Sequence, residues 1–240
     1  MSRLAIIAAR SQSKGLPGKN IKMFAGRPLL AHSIVQAKNS GQFDCVACSS
    51  DDERYLAIAM EAGADLAIKR PEELASDLAA KLPVLRHAVT TAEAHAALTF
   101  DTVVDLQPTS PLRRPEDIPG AIAQLEANPQ FENVVSVCAA ADSPYYTLVE
   151  MSPAGVATLS KVPPGGQQAR RQDIPSVWRL NGSIYAWRRA ALWQNERAVT
   201  AATGIWVMPD VCGFDIDLAL DFALAAYVAE HEFGWPATPR

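Results

Sequence analysis

The stretch "LAIIAARSQSKGLPGKN", residues 4–20, joins a short apolar run to a basic loop. The run is typical of a strand that is buried on both faces of a sheet. The loop that follows holds three cations, two glycines and a proline. Open α/β sheets bind phosphate at such a loop, because free backbone N–H groups and cations face the anion beyond the end of the strand. The stretch therefore predicts a first strand followed by an anion-binding loop.

Two common nucleotide-binding loops do not fit this stretch. A Walker loop requires glycine at position 13 and serine or threonine at position 20, where this chain has Ser13 and Asn20. The sequence also contains no G-x-G-x-x-G. The interpretation of the chain as an ATPase or as an NAD-dependent enzyme therefore loses its main support. On spacing alone, a solvated basic turn stays open as an alternative to an anion site.

Short apolar runs recur along the chain and alternate with longer segments of helical spacing. This alternation predicts an α/β fold, a Rossmann-like and mostly parallel sheet flanked by helices. The predicted strands are "LAIIAA" (4–9), "CVACS" (45–49), "DLAI" (65–68), "TVVDLQ" (102–107), "NVVSVC" (133–138), "SIYAW" (183–187) and "GIWVM" (204–208).

The helical segments carry recognisable start signals. Pro28 suits the first turn of a helix over 26–37, and acidic residues open the segment over 114–127. Ser50 and Asp51 can cap a helix over 52–62. In the last helix, over 218–233, one apolar stripe is predicted to pack on the sheet. Its members are Leu220, Leu224, Tyr227 and Val228.

The pattern breaks between about residues 143 and 180, where prolines, glycines and arginines surround short extended pieces. We expect one domain over 1–240, with 143–180 as an excursion that serves as a mobile lid or a dimerisation arm.

Composition limits the class of protein. The chain has 240 residues, 49% of them hydrophobic, with a net charge of −4, so nucleic acid is not an expected partner. The first apolar run is too short for a membrane span or a signal peptide, which predicts a cytoplasmic protein without a membrane partner. Cys45 and Cys48 form a C-x-x-C inside a predicted strand, where they would point to opposite faces as free thiols.

Five ordered blocks resemble those of the acylneuraminate cytidylyltransferases. They are "ARSQSKGLPGKN" (9–20), "KRPEELASD" (69–77), "LQPTSPLR" (106–113), "RQDIPSVWRLNGSIY" (171–185) and "FDIDLALD" (214–221). The resemblance implies that the anomeric hydroxyl of a nonulosonic acid attacks the α-phosphate of CTP and that pyrophosphate leaves. In such transfers the protein mainly aligns the attacking hydroxyl with the phosphate and neutralises charge on the phosphate oxygens.

The resemblance implies roles for the basic loop and the second block. Arg10, Lys19 and Asp217 would be the catalytic residues, with Lys19 near the α-phosphate and Asn20 on the ribose. Lys81 stands where the family often has a small hydroxyl residue, so recognition of the base is expected to differ in detail. The implied nucleotide-binding residues are Ala9, Arg10, Lys19, Asn20, Arg70, Ala79 and Ala80.

Asp215 and Asp217 are the implied ligands of Mg²⁺, with Mn²⁺ as a second candidate. In an extended chain the i, i+2 spacing sends both carboxylates to one side, where they can share a hard cation. On sequence alone, Asp217 could instead cap the last helix.

The implied acceptor site contains Gln107, Arg171, Asn181 and Tyr185. Tyr146 stands where members that use sialic acid commonly have a lysine, which leaves room for legionaminic or pseudaminic acid as the acceptor. No histidine falls in a block, so no general base is identified. The excursion matches the dimerisation region of the family, which implies a homodimer.

Two other functions would also account for parts of the sequence. A metal-dependent glycosyltransferase also uses a D-x-D motif, although it would leave the basic first loop unexplained. A non-catalytic nucleotide-binding protein would be favoured if Arg10, Lys19 or both aspartates were missing, and all four are present.

Overall fold

A computed structural model describes residues 1–12, 15–76, 79–164 and 174–238. The strands are β1 (Arg3–Ala8), β2 (Met23–Phe24), β3 (Arg27–Pro28), β4 (Cys45–Ser50), β5 (Leu66–Lys69), β6 (Thr102–Leu106), β7 (Asn133–Ala139), β8 (Val149–Met151), β9 (Ala157–Leu159), β10 (Trp178–Arg188) and β11 (Thr203–Val207). The helices are α1 (Leu29–Ser40), α2 (Glu53–Glu61), α3 (Lys81–Ala96), α4 (Asp117–Ala127), α5 (Arg189–Gln194) and α6 (Ala219–Phe233). Short 3-10 helices cover Lys19–Ile21, Glu72–Leu74 and Asp210–Cys212.

Seven strands form the central sheet, in the order β11-β7-β10-β6-β1-β4-β5. β10 runs antiparallel to β6 and β7, and the other neighbouring strands pair in parallel. All seven apolar runs identified from the sequence lie in this sheet, which confirms the prediction of a mostly parallel α/β fold.

Helices cover both faces of the sheet. Apolar side chains of α1, α2 and α4 form one core with one face, and those of α3 and α5 form a second core with the other. Cys48 belongs to the first core and Cys45 to the second, both as free thiols. The prediction that the C-x-x-C would divide between the two faces is therefore confirmed.

The chain reverses its direction of travel across the sheet beside β1. It passes from β1 to β4 and β5 on one side, and then returns to place β6 on the other side of β1. Ligands of open α/β sheets bind beyond the carboxyl ends of the strands at such a switch point. The loop after β1 and the loop after β6 therefore flank the expected binding site.

The cap of α2 differs from the prediction. Asp52, rather than Ser50 or Asp51, accepts the hydrogen bond from the Arg54 N–H in the first turn. Asp51 instead accepts hydrogen bonds from the backbone N–H and the hydroxyl of Ser11. Asp51, which was predicted to cap the helix, thus binds the start of the basic loop instead.

The prediction of which face of α6 is buried was wrong. Its buried residues pack with the small β2–β3 hairpin and its surroundings in a third cluster that includes Phe24 and Leu29. Leu220, Leu224 and Tyr227 are exposed. The helix is apolar on nearly every side, so spacing alone did not identify its packed face, where two alanines allow close approach. The buried residues of α6 are Phe222, Ala225 and Ala229.

In the described part of the 143–180 excursion, β8 and β9 pair as a separate antiparallel hairpin outside the central sheet. The hairpin and the first residues of β10 expose several large apolar side chains, among them Val149, Met151 and Trp178. No helix in the described ranges is both long and apolar enough to cross a membrane.

The buried His32 gives the fold a testable dependence on pH. Its Nε2–H donates to the Phe24 carbonyl at 2.7 Å, and its ring stacks on Trp235. Burial lowers the pKa of His32 from 6.5 to about 4. The unfolded chain therefore binds this proton more readily than the folded chain, and stability falls as pH falls from 6.5 towards 4.

We expect His32→Gln to remove this part of the acid destabilisation, which amounts to about 3 kcal/mol for a shift of this size. Glutamine keeps an N–H donor for Phe24 but does not titrate. Denaturant unfolding at several pH values should show the wild type losing more free energy of unfolding than the variant between pH 6.5 and 4. Parallel curves for the two proteins would contradict the assignment, and His95→Gln on α3 is the control.

Candidate active site

A cavity of about 420 Å³ opens at the carboxyl ends of the central strands. It lies where the loops after β1, β5 and β6 meet the segment that precedes α6. Most of the site residues predicted from the sequence line it, namely Arg10, Lys19, Asn20, Arg70, Ala79, Gln107, Asp215 and Asp217. The fold therefore brings four of the five sequence blocks to one place.

Lys19 joins the first loop to the last block. Its Nζ donates to the carbonyl of Ile216 and to the carboxylate of Asp217, each at 2.6 Å, across 198 positions of sequence in the second case. Gly15 permits this closure, because a Cβ there would lie 2.5 Å from the Asp217 carbonyl oxygen. The Lys19 side chain is 11% exposed, so its charge is held in the cavity wall.

Asn20 is buried beside Lys19 and is only partly hydrogen-bonded. Its Nδ2 donates to the Arg10 carbonyl at 3.1 Å, while its Oδ1 is buried and has no hydrogen-bond partner among the described residues. An orphaned buried acceptor is costly, on the order of 1–3 kcal/mol. This oxygen is therefore suited to accept a hydrogen bond from a ligand hydroxyl.

Arg70 is a buried cation in the cavity wall. It follows β5, and its Nη2 donates to the Ser49 carbonyl at 2.8 Å. Burial is the main cause that lowers its pKa, and repulsion from Arg10 lowers it further. Two mutually repelling guanidinium groups beside one cavity favour an anionic ligand.

A second polar group lines the α3 side of the cavity. The Nζ of Lys81 lies 2.6 Å from Asp105 Oδ2, and the Nε2 of Gln107 donates to the same oxygen at 3.1 Å. Asp105 is fully buried on β6. Sequence reasoning missed Asp105, although a charged residue inside the apolar run "TVVDLQ" was the available signal.

Tyr185 borders this group rather than lining the cavity itself. The Lys81 Nζ lies 5.2 Å from the centre of its ring. Burial, followed by the charges of Asp105 and Asp215, raises the pKa of Tyr185 to about 12. Its phenol is therefore protonated at neutral pH and can donate a hydrogen bond.

Arg113 holds the Gln107 loop in place and was also missed. It is buried, and its Nη2 donates to the carbonyls of Gln107 and Ser183 at 2.6 and 2.8 Å. Its Nη1 donates to the side chains of Ser33 and Gln36. Burial lowers its pKa to about 10, so the guanidinium stays charged at neutral pH. The arginine in "LQPTSPLR" thus fixes the loop from below.

The two aspartates of "FDIDLALD" both line the cavity. Asp217 does not cap α6, because the cap position is Leu218, and Asp221 accepts hydrogen bonds from the Asp217 and Leu218 N–H groups. In the part of the chain that the structure describes, no three His, Cys, Asp or Glu side chains gather as a metal site. Two carboxylates nevertheless fit a hard cation such as Mg²⁺, which commonly takes one or two carboxylates together with water and substrate phosphates.

The backbone of Gly182 lies close to the carboxylate of Asp215. It adopts a left-handed backbone with φ of 67°, and a Cβ there would lie 3.2 Å from Asp215 Oδ2. The register of β10 against β7 shifts around this residue. The glycine therefore leaves room for the carboxylate.

Some predicted residues lie elsewhere. Ala9 is buried in the core while Ala8 lines the cavity, and Ala80 is exposed at the start of α3. Asn181 is buried away from the cavity, where its Oδ1 accepts hydrogen bonds from the Ser136 hydroxyl and the Ser183 N–H. Arg171 lies outside the described residues.

Comparison with known proteins gives a consistent result. A family model described as cytidylyltransferase matches residues 4–188. The chain is 36% identical to post-translational flagellin modification protein B of Campylobacter coli, over 95% of each chain. It is 35% identical to the CMP-N,N'-diacetyllegionaminic acid synthase of Campylobacter jejuni, over 94% of each chain.

A solved structure of CMP:2-keto-3-deoxy-manno-octonic acid synthetase complexed with CTP has the same fold. It aligns with a TM-score of 0.68 at 19% identity, over 96% of this chain and 100% of the other. The Rossmann-like architecture expected from the sequence is therefore confirmed.

Proposed function

The chain belongs to the cytidylyltransferase family, and we propose that it transfers CMP from CTP to the anomeric hydroxyl of a nonulosonic acid. The observation that carries this proposal is the cavity in which Lys19 bridges the first loop to Asp217, with Arg10 and Arg70 in the same wall. Cations for a triphosphate and carboxylates for a metal ion thus face one space. The membership also argues against a metal-dependent glycosyltransferase.

In the proposed reaction, the anomeric oxygen attacks the α-phosphorus of CTP. A P–O bond to the sugar forms, the bond from the α-phosphorus to the bridging oxygen of pyrophosphate breaks, and the hydroxyl proton passes to solvent water. The Lys19 ammonium uses two of its three N–H groups on Ile216 and Asp217, so a third remains to donate to the α-phosphate. Arg10 and Arg70 offset the charge of the remaining phosphates.

Asn20 and Gln107 fix the reacting groups on either side. The Oδ1 of Asn20, which is left without a partner by the part of the chain that the structure describes, accepts from a ribose hydroxyl. The Nε2 of Gln107 donates to Asp105. The Oε1 of the same amide is therefore available to accept a hydrogen bond from a hydroxyl group of the sugar substrate. Positioning of this kind supplies much of the catalysis in phosphoryl-type transfer.

Asp215 and Asp217 would hold Mg²⁺, with Mn²⁺ as a substitute. When bound, the ion offsets negative charge on the phosphate oxygens. The carboxylate of Asp217 also forms an ion pair with Lys19. The ammonium group of Lys19 and the metal ion would therefore lie close together, next to one carboxylate.

The proposed acceptor is a diacetylated nonulosonic acid of the legionaminic type, with pseudaminic acid and N-acetylneuraminate as alternatives. Support comes from the name of the Campylobacter jejuni relative and from Tyr146, which replaces a lysine expected for sialic acid. We further propose that the enzyme works in the cytoplasm, where CTP is available.

The proposed enzyme is a homodimer that pairs through the β8–β9 hairpin. Val149 and Met151 on β8 are 61% and 75% exposed, and Trp178 at the start of β10 is 41% exposed. Exposed apolar side chains at neighbouring positions, such as Val149 and Met151 on β8, are typical of a protein interface.

Pyrophosphate release tests the reaction directly. We expect release with CTP and a legionaminic, pseudaminic or sialic acid in the presence of Mg²⁺, and little release with ATP, GTP or UTP. Asp217→Asn should lower the rate at least a hundredfold, because it removes charge from the metal site and from Lys19 (about 3 kcal/mol or more). The fold should be kept, since the Asp217 side chain is 71% exposed.

Asp210→Asn, on the nearby 3-10 helix outside the cavity lining, is the control and should keep its rate. Failure of the wild type with CTP and every acid tested would disprove the proposed reaction. A fully active Asp217→Asn would remove Asp217 from the catalytic residues.

Two glycine variants test the metal role of Asp215. Gly182→Ala and Gly41→Ala should each lower the free energy of unfolding by about 1 kcal/mol, because both glycines have a left-handed backbone. A Cβ at Gly41 meets nothing within 4 Å, whereas one at Gly182 presses on Asp215. Only Gly182→Ala should raise the Mg²⁺ concentration needed for half-maximal pyrophosphate release. An equal Mg²⁺ dependence in both variants would contradict the role of Asp215.

Light scattering tests the dimer. The wild type should have the mass of a dimer, and Val149→Asp with Met151→Asp should give the mass of a monomer. Met60→Asp on α2, which alters a side chain that is 45% exposed, is the matched control and should stay dimeric. A wild-type monomer at micromolar concentration would disprove the proposal.

A further inference from the structure

Strand β10 contains an enlarged bulge next to the cavity. Its register against β7 changes so that residues 181–184 lie opposite Ser136 alone. A bulge leaves backbone groups out of the ladder, and bulges are common beside active sites, where they redirect the chain. Most residues of this bulge are buried, so their backbone groups need hydrogen bonds from side chains.

Two buried side chains supply these hydrogen bonds. The Ser136 hydroxyl oxygen accepts from the Ile184 N–H at 2.7 Å. The Oδ1 of Asn181 accepts from the Ser183 N–H at 3.2 Å. The two side chains are also joined, because the Ser136 hydroxyl donates to the same Oδ1 at 2.6 Å. Together, Asn181 and Ser136 hold the bulge in one shape.

Stability alone does not explain why an asparagine is buried here. Among the described residues, the Nδ2 of Asn181 donates only to the sulfur atoms of Met208, at 3.2 Å, and Cys138, at 3.5 Å. Sulfur is a weak acceptor, so burial of this amide is costly. Asn181 also lies outside the cavity lining, so its side chain does not reach a ligand there. The shape of the bulge is therefore the property that Asn181 serves.

The bulge lies against the carboxylate of Asp215. Gly182, within the bulge, has a left-handed backbone, and a Cβ there would lie 3.2 Å from Asp215 Oδ2. Asp215 is exposed, so the position of its carboxylate depends on the few groups that lie against it. A shift of the bulge would therefore move the carboxylate or leave it room to move.

The loop after β6 joins the bulge to the segment that holds Asp215. The Ser110 hydroxyl donates to the Asn181 carbonyl at 3.1 Å. On the same loop, the Thr109 carbonyl accepts from the Ile216 N–H at 2.8 Å. One loop therefore fixes the bulge and the carboxylate relative to each other.

We infer that Asn181 is a positioning residue for the metal site: with Ser136 it holds the bulge in the shape that keeps the Asp215 carboxylate in place. This inference rests on the proposed function, because it takes Asp215 as a ligand of Mg²⁺. Loss of a group that orients a metal ligand lowers metal affinity by about 10- to 100-fold. Asn181 thus contributes to metal affinity without touching the ion or the substrate.

Binding of Mn²⁺ alone tests the inference without turnover. Water-proton relaxation measures the affinity of the protein for this ion, and Asp215→Asn should weaken it, which ties the signal to the site. Asn181→Ala should weaken Mn²⁺ binding by about tenfold. Ser136→Ala should weaken it less, because the Asn181 side chain remains. Ser136→Thr, which keeps the hydroxyl, should restore most of the affinity.

Asn133→Ala is the matched control. Asn133 is a similarly buried asparagine on β7, and it bonds to the Ala198 carbonyl and the Thr203 hydroxyl, outside the cavity lining. This variant should lose stability as Asn181→Ala does, but it should keep the wild-type affinity for Mn²⁺. In the pyrophosphate assay, Asn181→Ala should raise the Mg²⁺ concentration needed for half-maximal release. Its KM for the acid at saturating Mg²⁺ should not change.

Three results would overturn the inference. The first is a folded Asn181→Ala with unchanged Mn²⁺ affinity, and a higher KM for the acid in that variant would assign Asn181 to the acceptor site instead. If Asn181→Ala does not fold, unchanged affinity in Ser136→Ala has the same force. The second is an equal loss of affinity in Asn133→Ala, which would make the effect one of stability. The third is a wild type that binds no Mn²⁺.

Failure of the proposed reaction is a separate outcome. A wild type that releases no pyrophosphate with any acid contradicts the proposed function, whereas the Mn²⁺ affinities still decide the role of Asn181.

Discussion

Parallel pairing of β1 with β4 and β6 is the constraint on which the site depends. Parallel strands end at the same edge of a sheet, so the loops after β1, β5 and β6 emerge side by side. Each loop supplies one kind of group, with Arg10 and Lys19 after β1, Arg70 after β5 and Gln107 after β6. Helices on both faces exclude water beneath these loops, and the side chains at the edge are therefore partly buried.

Burial of charge is the second property that unites the site. Burial lowers the pKa of both Arg70 and Arg113. Arg113 donates to carbonyls and side chains that hold the Gln107 loop, whereas Arg70 donates to the Ser49 carbonyl in the cavity wall, where repulsion from Arg10 also lowers its pKa. A structural arginine that fixes a loop thus lies outside the cavity lining, which itself holds two further arginines.

The fold could be predicted well from sequence because the strands are nearly continuous apolar runs. Their composition differs sharply from that of the loops. Helix α6 could not be oriented in this way, since it is apolar on almost every side and only its packing partners select the face of Ala225 and Ala229. The site was predicted where charged residues follow a strand, as Arg10 and Arg70 do. It was missed where a charge lies within a strand, as Asp105 does, because the run was interpreted only as core. For Asn181 the error was the opposite one. It lies in a block that resembles the family and was predicted to bind the sugar, but its side chain is buried outside the cavity lining.

The contact between Lys19 and Asp217 also has a consequence for the order of folding. It joins positions 198 residues apart, whereas β1, β4 and β5 can pair within the first third of the chain. Contacts between distant positions carry the largest loss of chain entropy and slow folding. A growing polypeptide can therefore pair three of the seven strands of its sheet and complete its basic loop long before Asp215 and Asp217 are synthesised. The part of the cavity wall that Lys19 and Asp217 form together can close only once synthesis has passed residue 217.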